Sequence, residues 1–286
     1  MIDQDVRSTA RTAGVLDSST PLLLDLSTRI DRVLSLVADA AKSSGRQPED
    51  VAIVAVTKTV DRDVIDAAYA LGLRHFGENR VQDARRKLED SRPQLAEAVL
   101  HLIGQLQSNK AKPAITLFDI IESVDRMSLI DALEKEAERR GEGDPSGGDR
   151  VSVLLQVNIA REPQKAGCMP ESASELMERL VRSPWLRPRG LMTMAPLVAD
   201  AEETRPVFAG LRALRDALQR EQPAVDLGTL SMGMSDDFRV AIEEGATSVR
   251  IGRAIFAVEA SRREGEEERR TDPLLDTSTA RLLDIP

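Results

Sequence analysis

The sequence is short of cysteine, aromatics, lysine and long apolar runs, and each shortage excludes something. A single cysteine, Cys168, excludes an intrachain disulfide and points to a reducing, cytoplasmic setting. It ends the polar run 161–168, which reads as a loop. A thiol there has no positioned base in view, so it is not expected to act as a nucleophile. Aromatics make up only 2% of the chain, so the core must be built from Leu, Val, Ile, Ala and Met. No run of about 18 apolar residues exists, which excludes a spanning helix. The opening Met-Ile-Asp-Gln-Asp lacks the basic and apolar regions of a signal peptide. The formal net charge of −9 argues against a nucleic-acid backbone or an anionic membrane as the main partner. No Gly-x-Gly-x-x-Gly follows an apolar run, which disfavours dinucleotide binding. No metal site is expected.

What is present is a repeated alternation. Residues 1–21 are polar and aperiodic and read as a flexible N-terminal arm. From Leu22 to Ala41, apolar residues at Leu26, Ile30, Val33, Leu34 and Val37 keep helical spacing. The run Val51-Ala52-Ile53-Val54-Ala55-Val56-Thr57 then has the continuous apolar character of a parallel strand covered on both faces. Further strands are predicted at 75–79, 100–105, 118–124, 151–159, 187–194, 228–233 and 247–252. Helices are predicted at 61–71, 81–90, 108–116, 126–140, 171–182, 202–220 and 236–244. Eight strands alternating with helices, in a chain of 286 residues, predict one α/β domain. Its architecture is a single (β/α)8 TIM-type barrel, a fold of about 250 residues, spanning 22–258. The Gly- and Asp-rich stretch 141–149 reads as a surface loop, and the charge-dense residues 259–286 as a mobile tail.

Seven lysines stand against 32 arginines, so each can be weighed singly. Six of them occupy helical or loop contexts with polar neighbours. Lys58 alone directly follows an apolar strand, at the end of the barrel where functional groups sit. An ammonium there is expected to be partly desolvated, freeing the amine to attack an aldehyde. The alternative is a lysine that caps the barrel mouth or pairs with a carboxylate.

Loops after the seventh and eighth strands of such barrels often hold an anion. After the seventh strand comes Ser235-Asp236-Asp237, with Ser235 expected as N-cap of the helix 236–244. Plain capping explains it equally well, and both aspartates would repel a phosphate unless turned away. After the eighth strand, Gly252 permits close backbone approach. Period-two alternation puts Arg250 and Gly252 on one face. If that face is the lumen, Arg250 points toward the site, or into an ion pair with a core carboxylate such as Glu78 or Glu122; both roles can hold.

These segments together resemble the pyridoxal-phosphate homeostasis proteins, the single-domain alanine-racemase-like barrels. The matches run in order through Thr57-Lys58-Thr59, Phe76-Gly77-Glu78-Asn79, His101-Leu102-Ile103-Gly104, Gln107-Ser108-Asn109-Lys110, Gln156-Val157-Asn158, Gly190-Leu191-Met192, Ser231-Met232-Gly233-Met234-Ser235 and Val249-Arg250-Ile251-Gly252. The resemblance covers about residues 22–257. It implies a pyridoxal 5′-phosphate cofactor held as a Schiff base on Lys58, with Arg250 facing the pyridine nitrogen. Ser235 and the Gly252–Arg253 backbone would hold phosphate, and Asn79 would stand beside the lysine. His101 and Asn158 are more readily structural. Two positions depart from the family: Arg253 replaces a small hydroxyl residue, and Leu100 replaces an aromatic, the latter read as a packing change.

Such a cofactor suggests a racemase or lyase, but racemisation needs a second base on the opposite face, a tyrosine in alanine racemases. The only tyrosine here, Tyr69, falls mid-helix. The expected function is therefore a monomeric cytoplasmic carrier that binds, buffers and delivers the cofactor to dependent apo-enzymes. A slow racemase or lyase is the alternative, and a phosphate-binding barrel without aldehyde chemistry is a second.

Overall fold

The structure, a computed structural model, describes residues 21–88, 94–141 and 150–256. The expected arm, the expected tail and all but the first residue of the expected loop 141–149 lie outside them, apart from Pro21. Eight strands form one closed, all-parallel barrel in sequence order. They are β1 (Ala52–Val56), β2 (His75–Glu78), β3 (Val99–Leu102), β4 (Ile120–Val124), β5 (Val151–Gln156), β6 (Leu186–Met192), β7 (Thr229–Ser231) and β8 (Ser248–Ile251). Closure is made by β8 against β1, with Val54 beside Arg250 and Ala55 beside Ile251.

Helix α1 (Pro21–Ser43) precedes the barrel. Its Leu26, Ile30, Val33, Val37 and Ala41 are buried at helical spacing, which is why it docks rather than floats. The Arg46 guanidinium fixes the following turn by donating to the carbonyls of Ala246, at 2.7 Å, and Ile242. The remaining helices are α2 (Arg62–Ala70), α3 (Val81–Leu88), α4 (Ala111–Leu117), α5 (Met127–Arg140), α6 (Ala173–Arg182), α7 (Arg205–Glu221) and α8 (Phe238–Glu243). Leu100 is fully buried, in keeping with a packing role. No helix among the described residues is long and apolar enough to cross a membrane.

Each of the eight expected strands and eight expected helices is found among the described residues where the periodicity predicts it, with shifted ends. The seventh strand is shorter than 228–233 because the chain turns after Ser231, with Gly233 at φ 92°. The helix expected at 236–244 starts at Phe238. The Asp237 carboxylate accepts from the Met234 N–H at 2.6 Å and holds residues 234–237 as a turn. A helical first turn at 236 would need that carboxylate elsewhere.

Candidate functional site

Partners from non-adjacent strands identify the lumen. Glu122 on β4 accepts from the Ser231 hydroxyl on β7 at 2.6 Å, a bond that only the barrel interior can contain. The second oxygen of Glu122 lies 2.6 Å from His101 Nδ1. A carboxylate only accepts, so His101 Nδ1 carries the hydrogen. His101 Nε2 is in turn 3.0 Å from His75 Nδ1, and the two rings share one hydrogen there. Arg250 completes the chain, donating to Ser231 Oγ at 2.6 Å and to the Thr193 carbonyl at 2.7 Å. Its guanidinium stands 4.0 Å from Glu122. Of the two carboxylates expected as its partner, Glu122 is the one, and Glu78 is not.

The electrostatics follow from burial. Arg250 is 3% exposed and Glu122 1%. Burial draws the guanidinium below its ordinary value, while Glu122 and Asp237 push it back. Burial alone would raise the Glu122 carboxyl. The hydrogen bond and charge of His101, then Arg250 and Ser231, outweigh it and hold the group below the usual carboxylate range. Burial and the neighbouring His101 bring His75 down to about 4.

Arg250 is part of this lumen chain; the other predicted site residues follow four consecutive strands, β7, β8, β1 and β2. Lys58 occupies the turn that closes β1 and is exposed. The expected desolvation is therefore not supplied by the protein alone, because Lys58 is an exposed residue of the turn that the Val60 N–H closes on the Thr57 carbonyl. On one side, Asn79 follows β2 and is half-buried. On the other, Gly252 packs against β1, where an added Cβ would lie 3.3 Å from Val56 Cβ. Ser235 and the 253–256 helical turn meet through the Ala254 N–H and the Ser235 hydroxyl, 3.4 Å apart. Ser235 is thus not the helix N-cap expected of it; that position is Asp237. The two aspartates are turned to other work. Asp237 binds the Met234 N–H, and Asp236 pairs with the exposed Arg253 guanidinium.

His101 belongs to the lumen chain and not to the mouth. Asn158 is buried, with its amide donating to the Glu162 carbonyl at 2.8 Å, so it shapes the loop after β5. Cys168 is buried in that loop, and burial, with Asp125 nearby, pushes its thiol up to about 12. A polar cleft of about 450 Å³ opens beside the mouth, between the loops after β2 and β3, lined by Asn79, Arg80, Gln105, Gln107 and Lys110. Of the predicted site residues, Asn79 is the one that lines it.

One buried charged pair was not anticipated from the sequence. Lys87, expected in a polar setting, is buried, with its ammonium 3.0 Å from Glu78. The signal was available, since Lys87 falls three residues after Ala84 and one before Leu88, on the buried face of α3.

Comparison with known proteins agrees with this architecture. Residues 37–260 match the family model of the alanine racemase N-terminal domain. A pyridoxal phosphate homeostasis protein from Aquifex aeolicus is 41% identical over 228 residues, spanning 80% of this chain and 96% of its own. That of Pseudomonas aeruginosa is 41% identical over 229 residues, spanning 79% and 93%. Among solved structures, PipY of Synechococcus elongatus with PLP bound superposes with a TM-score of 0.66 at 38% identity, covering 77% of this chain and 99% of PipY. Alanine racemase from Corynebacterium glutamicum shares the fold, with a TM-score of 0.58 at 15% identity, covering 83% of this chain and 62% of the racemase. By sequence and by its single closed barrel, the chain belongs to the pyridoxal phosphate homeostasis protein family.

Proposed function

We propose that the chain binds pyridoxal 5′-phosphate, with Lys58 as the residue that takes its aldehyde in a Schiff base. Its role is then cofactor homeostasis in the cytoplasm, by binding, buffering and delivery to dependent apo-enzymes. The observation that carries the reading is one juxtaposition. An exposed lysine ends β1, flanked by Asn79 on β2 and by the Gly252 approach on β8.

The residues present fit the group. Lys58 would hold the group through its amine, which is the side chain at the mouth that can condense with an aldehyde. The backbone at Gly252 and Arg253 and the Ser235 hydroxyl follow strands one and two away from β1, where N–H groups and a hydroxyl suit a phosphate. Arg250, anchored in the lumen by Ser231 and Thr193, carries only N–H donors. A donor facing a pyridine nitrogen leaves that nitrogen unprotonated, and when bound the ring then supplies only weak electron withdrawal. The position of Tyr69 supports carriage over turnover. Its hydroxyl lies 3.4 Å from the Glu97 N–H and its ring lies under Arg74, in the helix layer and away from the mouth. A monomer suffices for every residue invoked.

The test is incubation with pyridoxal 5′-phosphate, borohydride reduction and peptide mapping. A single adduct on the peptide holding Lys58, lost in Lys58→Ala with the circular dichroism unchanged, is expected. Adducts scattered over surface lysines, or an adduct retained in Lys58→Ala, overturn the assignment. Steady conversion of an added amino acid by the loaded protein would favour the slow racemase or lyase instead.

A further inference from the structure

Between the barrel and its helix layer, beneath Lys58, lies a charged pair that the proposed function leaves unused. Lys87 Nζ on α3 is 3.0 Å from Glu78 Oε1 on β2, with side-chain exposures of 6% and 1%. The same ammonium donates to the Thr57 carbonyl at 2.8 Å. The Thr57 hydroxyl donates to Glu78 Oε1 at 2.6 Å, and the Thr57 N–H donates to the Gly77 carbonyl at 3.0 Å. The Thr57 carbonyl also accepts from the Val60 N–H at 3.1 Å, which closes the turn 57–60. Lys58 and Thr59 are the two exposed corner residues of that turn.

Every hydrogen-bonding group of Thr57 is therefore held, two of them by the buried pair. The carbonyl matters most. It belongs to the planar peptide that carries the Lys58 nitrogen, so fixing its direction fixes the plane from which Lys58 departs. Stability alone is a poor explanation for the pair. A buried ion pair can usually be replaced by apolar residues with no loss, because its desolvation offsets its attraction. Here one carboxylate oxygen, Glu78 Oε2, is even left buried without a partner. A pair retained at such a cost, with its hydrogen bonds directed at one turn, is explained by what that turn presents.

We infer that Lys87 is a positioning residue. Through Glu78 and the Thr57 carbonyl, it holds the turn 57–60 in the form that delivers the Lys58 amine to the barrel mouth. This rests on the reading of Lys58 as the attachment point. Lys87 itself is buried and tied, and takes no aldehyde.

The test is the paired variant Lys87→Met with Glu78→Gln, which removes both charges and leaves neither orphaned. Three quantities are compared with the wild type: the rate of borohydride-trapped attachment at Lys58, the affinity for pyridoxine 5′-phosphate, and the thermal midpoint. Pyridoxine 5′-phosphate lacks the aldehyde and so reports the ring and phosphate contacts without the bond to Lys58. Attachment is expected to slow about 10- to 100-fold, the scale set by misplacing a reacting group by up to an ångström. The pyridoxine 5′-phosphate affinity and the midpoint should hold. A wild-type attachment rate overturns the inference, as does an equal loss of attachment and of pyridoxine 5′-phosphate affinity. Should the paired variant fail to fold, Thr57→Val removes one bond of the same network and must still slow attachment. An unchanged rate there also overturns it. Absence of any adduct on wild-type Lys58 is a different outcome and defeats the functional reading itself.

Discussion

Glu122→Leu is the substitution for which the structure gives the clearest number. It removes the acceptor of His101 Nδ1 and of the Ser231 hydroxyl, each 2.6 Å away, and the carboxylate 4.0 Å from Arg250. Arg250 keeps its bonds to Ser231 and Thr193, but at 3% exposure its charge loses its paired carboxylate, and only the smaller influence of Asp237 remains to offset it. Breaking a buried pair by deleting one partner costs about 3–5 kcal/mol. Taken against a total of about 5–15 kcal/mol, that is a large share of the stability. For a domain of this size it corresponds to a fall of roughly 6–20 °C in the thermal midpoint. The second half of the prediction is more specific. Arg250→Met made in the same chain removes the orphan charge, so the double variant should be more stable than the sum of the two losses by about 1–3 kcal/mol. Urea unfolding of wild type, both single variants and the double variant measures this directly. Losses that add to within about 0.5 kcal/mol would show that Glu122 and Arg250 do not act on one another. A loss below about 1 kcal/mol for Glu122→Leu would refute the burial argument altogether.

Three further outcomes follow from other parts of the molecule. With the folded His75 at about 4 against the ordinary 6.5, the unfolded chain binds the proton more readily between those values. Its contribution to stability is then full above pH 6.5, declines as the pH falls toward 4 and is flat below. Urea midpoints of His75→Gln should show less loss over that window than wild type, and an identical pH slope in the two proteins contradicts it. At Gly104, an added Cβ would lie 2.1 Å from the Asn79 carbonyl oxygen. Gly104→Ala must therefore push apart the loops after β2 and β3, at a cost of about 1–3 kcal/mol; an unchanged midpoint in thermal unfolding refutes the close approach. Cys168, buried with its thiol pushed up to about 12, should resist iodoacetamide at pH 8 in the native protein and react fully in urea. Rapid native alkylation would place the loop after β5 elsewhere.

What the sequence determined on its own is everything carried by short-range periodicity. Continuous apolar runs mark strands covered on both faces, and the spacing of Leu26, Ile30, Val33 and Val37 marks α1. Alternation along β8 puts Arg250 and Gly252 on one face, and the position of Lys58 after β1 follows from the strand itself. Those patterns are local, because a side chain's direction in a strand or helix depends only on its neighbours in the chain.

Tertiary structure decided what meets what. Glu122 and Ser231 are 109 residues apart, and only closure of β8 on β1 makes them partners through the lumen. The same closure chose Glu122 over Glu78 for Arg250, since Glu78 faces outward to Lys87 on α3. At the Ser235 turn a local rule gave way. Ser followed by two Asp reads as a helix start, but the Asp237 carboxylate reaches back to the Met234 N–H and moves the start to Phe238. Lys87 was hidden for the opposite reason. Its charge argued for solvent, while the helix face it shares with Ala84 and Leu88 was committed to the barrel, and the Glu78 carboxylate was there to receive it. Which buried charge finds a partner depends on strand order and barrel closure, and no short window of sequence contains either.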